Sequence, residues 1–191
     1  MQKYYLTVFK QIIIQETSGI YLSSVELWII MSAIITLIMW FIVHKRQNYA
    51  LIKLFHFFLT IVYVGVILFL TIFRREPGSK SGAVYTEIYL GFGLKGIYSP
   101  RVAVYSILNI ALFVPWGILL YLYRVKDNIF KGIVMTTLLG FLCSFCIEFT
   151  QKMTKTGLFE MTDITTNTMG AFIGATFTAL IYVIIKGLKK Q

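Results

Sequence analysis

Residues 143–174 read CSFCIEFTQKMTKTGLFEMTDITTNTMGAFIG. An apolar helix runs into Glu148 and Gln151, breaks at Thr156-Gly157, and restarts behind Asp163. Ser144, Glu148 and Gln151 stand at i, i+4 and i+7, so one helical face carries all three. Asp163, Asn167, Gly170 and Gly174 follow the i, i+4, i+7, i+11 pattern and share a face in the same way. Two antiparallel helices joined by a short loop would bring the two polar stripes close together.

The remainder of the chain is too apolar to carry such groups without a reason. Of 191 residues, 58% are hydrophobic, 16% aromatic and only 14% charged, and the mean hydropathy is +0.77. Soluble domains carry about a quarter charged residues. Membrane-spanning helices, which satisfy their own backbone hydrogen bonds, are the simplest fold for this composition. The expected class is all-α, a polytopic membrane bundle of about five transmembrane helices plus an N-terminal interfacial helix. The length leaves room for one bundle and no separate soluble domain.

Apolar runs place the spans at about residues 23–43, 51–73, 103–123, 132–150 and 166–185. Residues 1–22 are interrupted by Lys10, Gln11, Gln15 and Glu16 and fit an amphipathic segment at the interface. Residues 23–191 form the transmembrane domain. Arg74-Arg75-Glu76-Pro77-Gly78 stops the second span. Residues 74–102 combine a solvated turn with an aromatic stretch cut by Gly91, Gly93 and Gly96, which reads as a membrane-surface flap or a short re-entrant piece. Pro115 falls inside the third span, where a kink is expected.

The net charge is +10. The basic residues cluster between apolar runs, where they set topology and meet anionic lipid, so no nucleic-acid partner is expected. Five spans put the termini on opposite sides. One face holds Lys45, Arg46, Lys53, Arg124, Lys126, Lys131, Lys186, Lys189 and Lys190, with Asp127 its only acid. The other holds as many basic residues but seven acids, so the faces net +8 and +2. The first face also packs its charge into short turns beside span ends, which places the C-terminus in the cytoplasm.

With that alternation, Arg74, Arg75, Asn109, Glu148, Gln151, Asp163 and Asn167 all fall at one depth, the outer end. Arg74 or Arg75 with Glu148 or Asp163 are the natural ion pairs. Two readings stand side by side. Polar side chains glue membrane helices together, and Gly170-x-x-x-Gly174 lets backbones approach closely. The same groups could instead form a ligand site. A carboxylate beside an amide could also work as an acid–base pair, although Ser144 is the only candidate nucleophile and has no His or Lys base beside it. Cys143 and Cys146 read as packing residues in an apolar helix, and no second cluster completes a metal site. No metal and no cofactor is expected.

Four pieces resemble the VanZ-like family of bacterial membrane proteins. They are Thr71-Ile72-Phe73-Arg74-Arg75; Asn109-x-x-Leu112-Phe113-Val114-Pro115-Trp116-Gly117; Ser144-x-x-x-Glu148-x-x-Gln151; and Phe159-Glu160-x-x-Asp163-x-x-x-Asn167-Thr168-x-Gly170-Ala171-x-x-Gly174. The family pattern commonly has two adjacent acids where this chain has Thr162-Asp163, and often an Arg where it has Lys155-Thr156. The resemblance implies a helical membrane protein whose named member is linked to resistance to the glycopeptide teicoplanin. Expected partners are membrane lipid and either a lipid-linked cell-wall precursor or an acylated glycopeptide, engaged at the outer polar cluster. A membrane-embedded enzyme acting on a lipid-linked substrate, a small transporter and a structural scaffold are the alternatives.

Overall fold

The computed structural model describes residues 2–44, 51–93, 98–124 and 128–188. Lys45, Arg46, Lys95, Gly96, Lys126, Asp127, Lys189 and Lys190 of the sequence reading lie outside them. Among the described residues there are six α-helices: α1 (Gln2–Thr17), α2 (Leu22–His44), α3 (Leu51–Leu68), α4 (Pro100–Leu122), α5 (Ile129–Thr154) and α6 (Met161–Leu188). A π-helical turn, Phe69–Phe73, extends α3, and two-residue strands β1 (Val84–Tyr85) and β2 (Phe159–Glu160) pair in parallel. Five segments are long and apolar enough to cross a membrane: Leu22–Ile42, Leu51–Phe73, Pro100–Leu122, Ile129–Thr154 and Met161–Leu188.

The helices run further than the apolar runs that announce them. Pro100 opens α4 three residues before the apolar run, at the first helical turn, where its missing N–H costs nothing. Asn128 caps α5, its side-chain oxygen accepting from the Phe130 and Lys131 amides at 3.0 and 3.4 Å. α5 persists to Thr154 and stops at Lys155, which takes the left-handed conformation (φ +54°). The stop therefore precedes Thr156-Gly157. α6 begins at Met161, so Asp163 lies in its first turn, where a carboxylate is favoured by the helix dipole.

The chain falls into two compact units. Gly19–Arg74 contains α2 and α3. They pack through Trp28, whose indole Nε1 donates to the Ile61 carbonyl at 3.1 Å. Gly65 lies under that indole, and a Cβ there would come within 2.6 Å of Trp28 Cε2. The ends of this unit meet, since a Cβ at Gly19 would lie 2.9 Å from the Arg74 carbonyl oxygen.

The second unit joins Met1–Ser18 to Arg75–Gln191. Its centre is the pairing of α6 with α4 and α5. Gly174 meets the Val114 carbonyl, Gly170 meets the Ile110 carbonyl and Phe113 Cβ, and Gly117 of α4 meets the Ala171 carbonyl. From α5, Gly140 meets Ala171 Cβ. Small residues here let the backbones touch, and in lipid such van der Waals contact is the main cohesion between helices. α4 continues through Pro115, whose ring leaves the Ala111 carbonyl without its usual i+4 donor. Phe113, Tyr121, Ala171 and Ala175 are the buried centre.

Residues 76–93 form a strap across the α5–α6 connection. Gly78 N donates to the Thr154 carbonyl (3.0 Å), Lys80 N to that of Lys155 (2.8 Å), and Phe159 N to that of Ala83 (2.8 Å). Val84 and Tyr85 stand in register with Phe159 and Glu160. Thr162 then anchors the strap twice, accepting from Tyr89 N at 3.0 Å and donating to the Glu87 carbonyl at 3.3 Å. Further along, Ser106 donates to the Leu90 carbonyl at 3.2 Å. The segment read as a surface flap is thus tied by backbone hydrogen bonds to one end of the helical unit.

α1 also belongs to this unit and packs on α4. Ile12 is buried. Arg101 Nη2 donates to Gln15 Oε1 at 3.0 Å, and the Tyr105 hydroxyl donates to Glu16 Oε1 at 3.3 Å.

Candidate functional site

The strap, the α5–α6 connection and the ends of α4, α5 and α6 enclose a polar cluster. α5 supplies Ser144, Glu148 and Gln151 from one face, exposed by 0%, 2% and 4%. α6 supplies Asp163, half-buried, and Asn167, exposed by 4%. The deepest link crosses between the helices, with Asn167 Nδ2 donating to Ser144 Oγ at 2.8 Å. One turn nearer the helix ends, Glu148 Oε2 accepts the backbone amide of Glu160 at 2.9 Å. The parallel β1–β2 pairing fixes the backbone that presents this amide. From α4, Asn109 lies within interacting range of the Asp163 carboxylate.

Arg75 enters from the strap side. A Cβ at Gly157 would lie 2.6 Å from Gln151 Oε1 and 2.8 Å from Arg75 Nη1. Both side chains therefore crowd over Gly157, which is glycine for space, since Lys155 makes the left-handed turn. Arg75 lies within electrostatic range of Glu148, Glu160 and Asp163, and Glu148 and Asp163 lie within range of each other. At Glu160, outside the spans, burial raises the carboxyl above its ordinary value and the Arg75 guanidinium opposes that rise.

Of the residues singled out in the sequence, Arg75, Asn109, Glu148, Gln151, Asp163 and Asn167 come together. Arg74 belongs to the Gly19–Arg74 unit, where its Nε donates to the Leu70 carbonyl at 2.7 Å. Gly170, Gly174 and Pro115 lie deeper, at or beside the α4–α6 contact. Cys143 and Cys146 are free thiols, and no group of three His, Cys, Asp or Glu side chains among the described residues could hold a metal ion.

Three residues of the site escape the sequence reading. Glu160 stands in the quoted motif and sits beside Glu148 because its own amide is bound there. Thr162 looks like a plain helix-start residue until the strap is seen. Glu16 stands in the last turn of α1 and lies within electrostatic range of Asp163. The sequence marks it only as one of the polar residues, with Lys10, Gln11 and Gln15, that interrupt residues 1–22.

The profile of the VanZ/LLP1 family matches residues 27–185. The chain belongs to the VanZ/LLP1 family. It is a VanZ-like multi-pass membrane protein, and the matched region contains the cluster from Arg75 to Asn167. α1 and Glu16 precede it. No curated protein and no solved structure matches the chain.

Proposed function

We propose that this VanZ-like protein lowers the sensitivity of a bacterial cell envelope to glycopeptides of the teicoplanin type. It does so by engaging the polar head of an acylated or lipid-linked molecule at the cluster of Arg75, Asn109, Glu148, Gln151, Asp163 and Asn167. In this reading the cluster lies at the outer face of the plasma membrane and the C-terminus is cytoplasmic. The observation that carries the proposal is the burial of Glu148, with half-buried Asp163 on the facing helix, one turn above the Ser144–Asn167 link. Ionisable groups in such places are costly and usually serve a ligand, an ion or a proton. A lipid-anchored head reaches this depth without leaving the membrane.

The test is the susceptibility of a teicoplanin-sensitive host expressing wild type or Asp163→Asn at equal membrane levels. Protection by wild type and none by the variant is expected. Equal protection by both removes the cluster from the function.

A second reading follows from the same pair of carboxylates. Glu148 and Asp163 on different helices, within electrostatic range, could act as acid and base on a lipid-linked substrate. Turnover of such a substrate by purified protein, lost in Glu148→Gln, would favour it over binding alone.

A further inference from the structure

The outward face of α5 carries a ladder of aromatic rings. Phe141, Phe145 and Phe149 stand at i, i+4 and i+8 and share one face. All three are exposed. Neighbouring ring centroids lie 6.4 Å apart, and the ring planes meet at only 26° and 13°. Phe159 of β2 meets the middle ring edge-on, its centroid 5.8 Å from that of Phe145. Successive strand residues point to opposite sides, so Phe159 joins the ladder while Glu160 joins the polar cluster. At 1.5 Å per residue the three rings cover about 12 Å of the helix axis. That length fits within one leaflet, half of a hydrocarbon core about 30 Å thick.

Lysines gather where the ladder reaches the end of the helix. Lys152 lies in the last turn of α5, three residues beyond Phe149 and on the same face, and Lys155 is the left-handed stop. The helix dipole favours cations at both places. Lys80 has no such reason to be there; the strap brings it in. Its amide donates to the Lys155 carbonyl at 2.8 Å. Two residues on, a Cβ at Gly82 would lie 2.9 Å from the Lys152 carbonyl oxygen and 3.6 Å from Lys155 Cγ. The three lysines are exposed, and among the described residues none of their ammonium groups has an ion-pair partner. Glu76 and Glu87, exposed acids of the strap, pair with none of them.

This charge decides what can lie against the ladder. A second copy, side by side in the same membrane, would set one lysine group against the other, and like charges facing each other oppose association. A partner with an anionic head at the membrane surface and an apolar body below it satisfies both parts of the face.

We propose that the outward face of α5 binds an anionic phospholipid of the surrounding bilayer. Lys80, Lys152 and Lys155 meet its phosphate head, and an acyl chain lies along Phe149, Phe145 and Phe141. None of these residues belongs to the polar cluster, so the inference stands apart from the teicoplanin reading.

The test uses the full chain in a neutral maltoside detergent. Phosphatidylglycerol and phosphatidylcholine with identical acyl chains are titrated in, and native mass spectrometry reads the lipid bound. Phosphatidylglycerol should bind more tightly, and inorganic phosphate should not displace it. Lys80→Gln and Lys152→Gln should each weaken phosphatidylglycerol about fivefold, the effect of losing one surface cation. Lys186→Gln is the control: it removes an exposed lysine from the last turn of α6 and should leave the affinity unchanged. Phe145→Leu breaks both stacked pairs and the edge contact and should weaken binding several-fold. Phe141→Leu, which ends the ladder and breaks one stack, replaces it if that variant fails to fold. Equal affinity for the two lipids overturns the proposal, as does an equal loss in Lys186→Gln. Unchanged affinity in the folded phenylalanine variant or displacement by inorganic phosphate overturns it too, and so does a dimer that Phe145→Leu dissolves.

Discussion

Gly174→Ala tests how this bundle is held together. A Cβ at Gly174 would meet the Val114 carbonyl oxygen inside any ordinary contact distance, and it would lie 3.0 Å from both the Val114 carbonyl carbon and the Ile118 nitrogen. All are backbone atoms of α4, so no side chain can swing aside. The helices must part, and a gap of about 0.5–1 Å already forfeits a quarter to a half of each van der Waals contact across it. Gly117 and Gly170 make the same kind of contact along the same seam and would lose it together. Overpacking of this kind costs about 1–3 kcal/mol, and alanine returns at most about 1 kcal/mol of helix propensity. The expected net loss is about 2 kcal/mol, near the upper end because the neighbouring contacts open too. For a chain of this size that lowers the melting temperature by about 4–8 °C. Melting of purified protein in detergent, followed by tryptophan fluorescence, measures it. Gly187→Ala is the control: nothing lies within 4 Å of that position, so it should keep or slightly raise the melting temperature. A Gly174→Ala protein that melts with wild type would refute close α4–α6 contact as the source of cohesion.

Other substitutions probe the elements around the cluster. Thr162→Val removes both the acceptor for Tyr89 N and the donor to the Glu87 carbonyl, costing about 1–3 kcal/mol; faster amide exchange over residues 83–92 should report the loosened strap, and unchanged exchange would deny Thr162 that role. Lys155→Gly relieves a side chain held at φ +54° and should stabilise by up to about 1 kcal/mol, whereas Gly157→Ala should destabilise because its Cβ meets Gln151 and Arg75. Opposite signs in thermal melts are the expected pair, and a destabilised Lys155→Gly would contradict the assignment of the helix stop. Glu160, whose carboxyl is raised by burial, contributes stability that is complete below its ordinary value of 4.5 and is lost as pH rises through the higher folded value. Glu160→Gln should therefore flatten the fall of melting temperature on going from acid towards neutral pH, and an unaltered profile would count against it.

The five spans are legible in the sequence because each is a long apolar run, and apolarity is the property that inserts a helix into lipid. Their ends are less legible. α6 starts at Met161, five residues before its apolar run, because Thr162 and Asp163 make contacts that a hydropathy pattern cannot register. α5 stops at Lys155 although a glycine stands two residues on, since Gly157 is needed for the space that Arg75 and Gln151 occupy. The strap is a pairing of Val84 and Tyr85 with residues 75 positions away, and nothing local announces it. The helical face of Glu148 and Gln151, and that of Asp163 and Asn167, follow directly from spacing. Arg74 and Arg75 are adjacent and equivalent in the sequence, yet they belong to different units. Glu16 is unmarked by any motif and reaches the site only through the packing of α1 on α4.

The central claim is that the buried carboxylates serve a function and are not merely glue between helices. Glu148→Gln decides it, since glutamine keeps the shape and an acceptor for the Glu160 amide while removing the charge. Teicoplanin protection and the melting temperature should be measured on the same membrane preparations of wild type and variant. The account predicts that protection is lost while the melting temperature stays level or rises. Protection retained, or lost only in step with a fall in melting temperature, would contradict it.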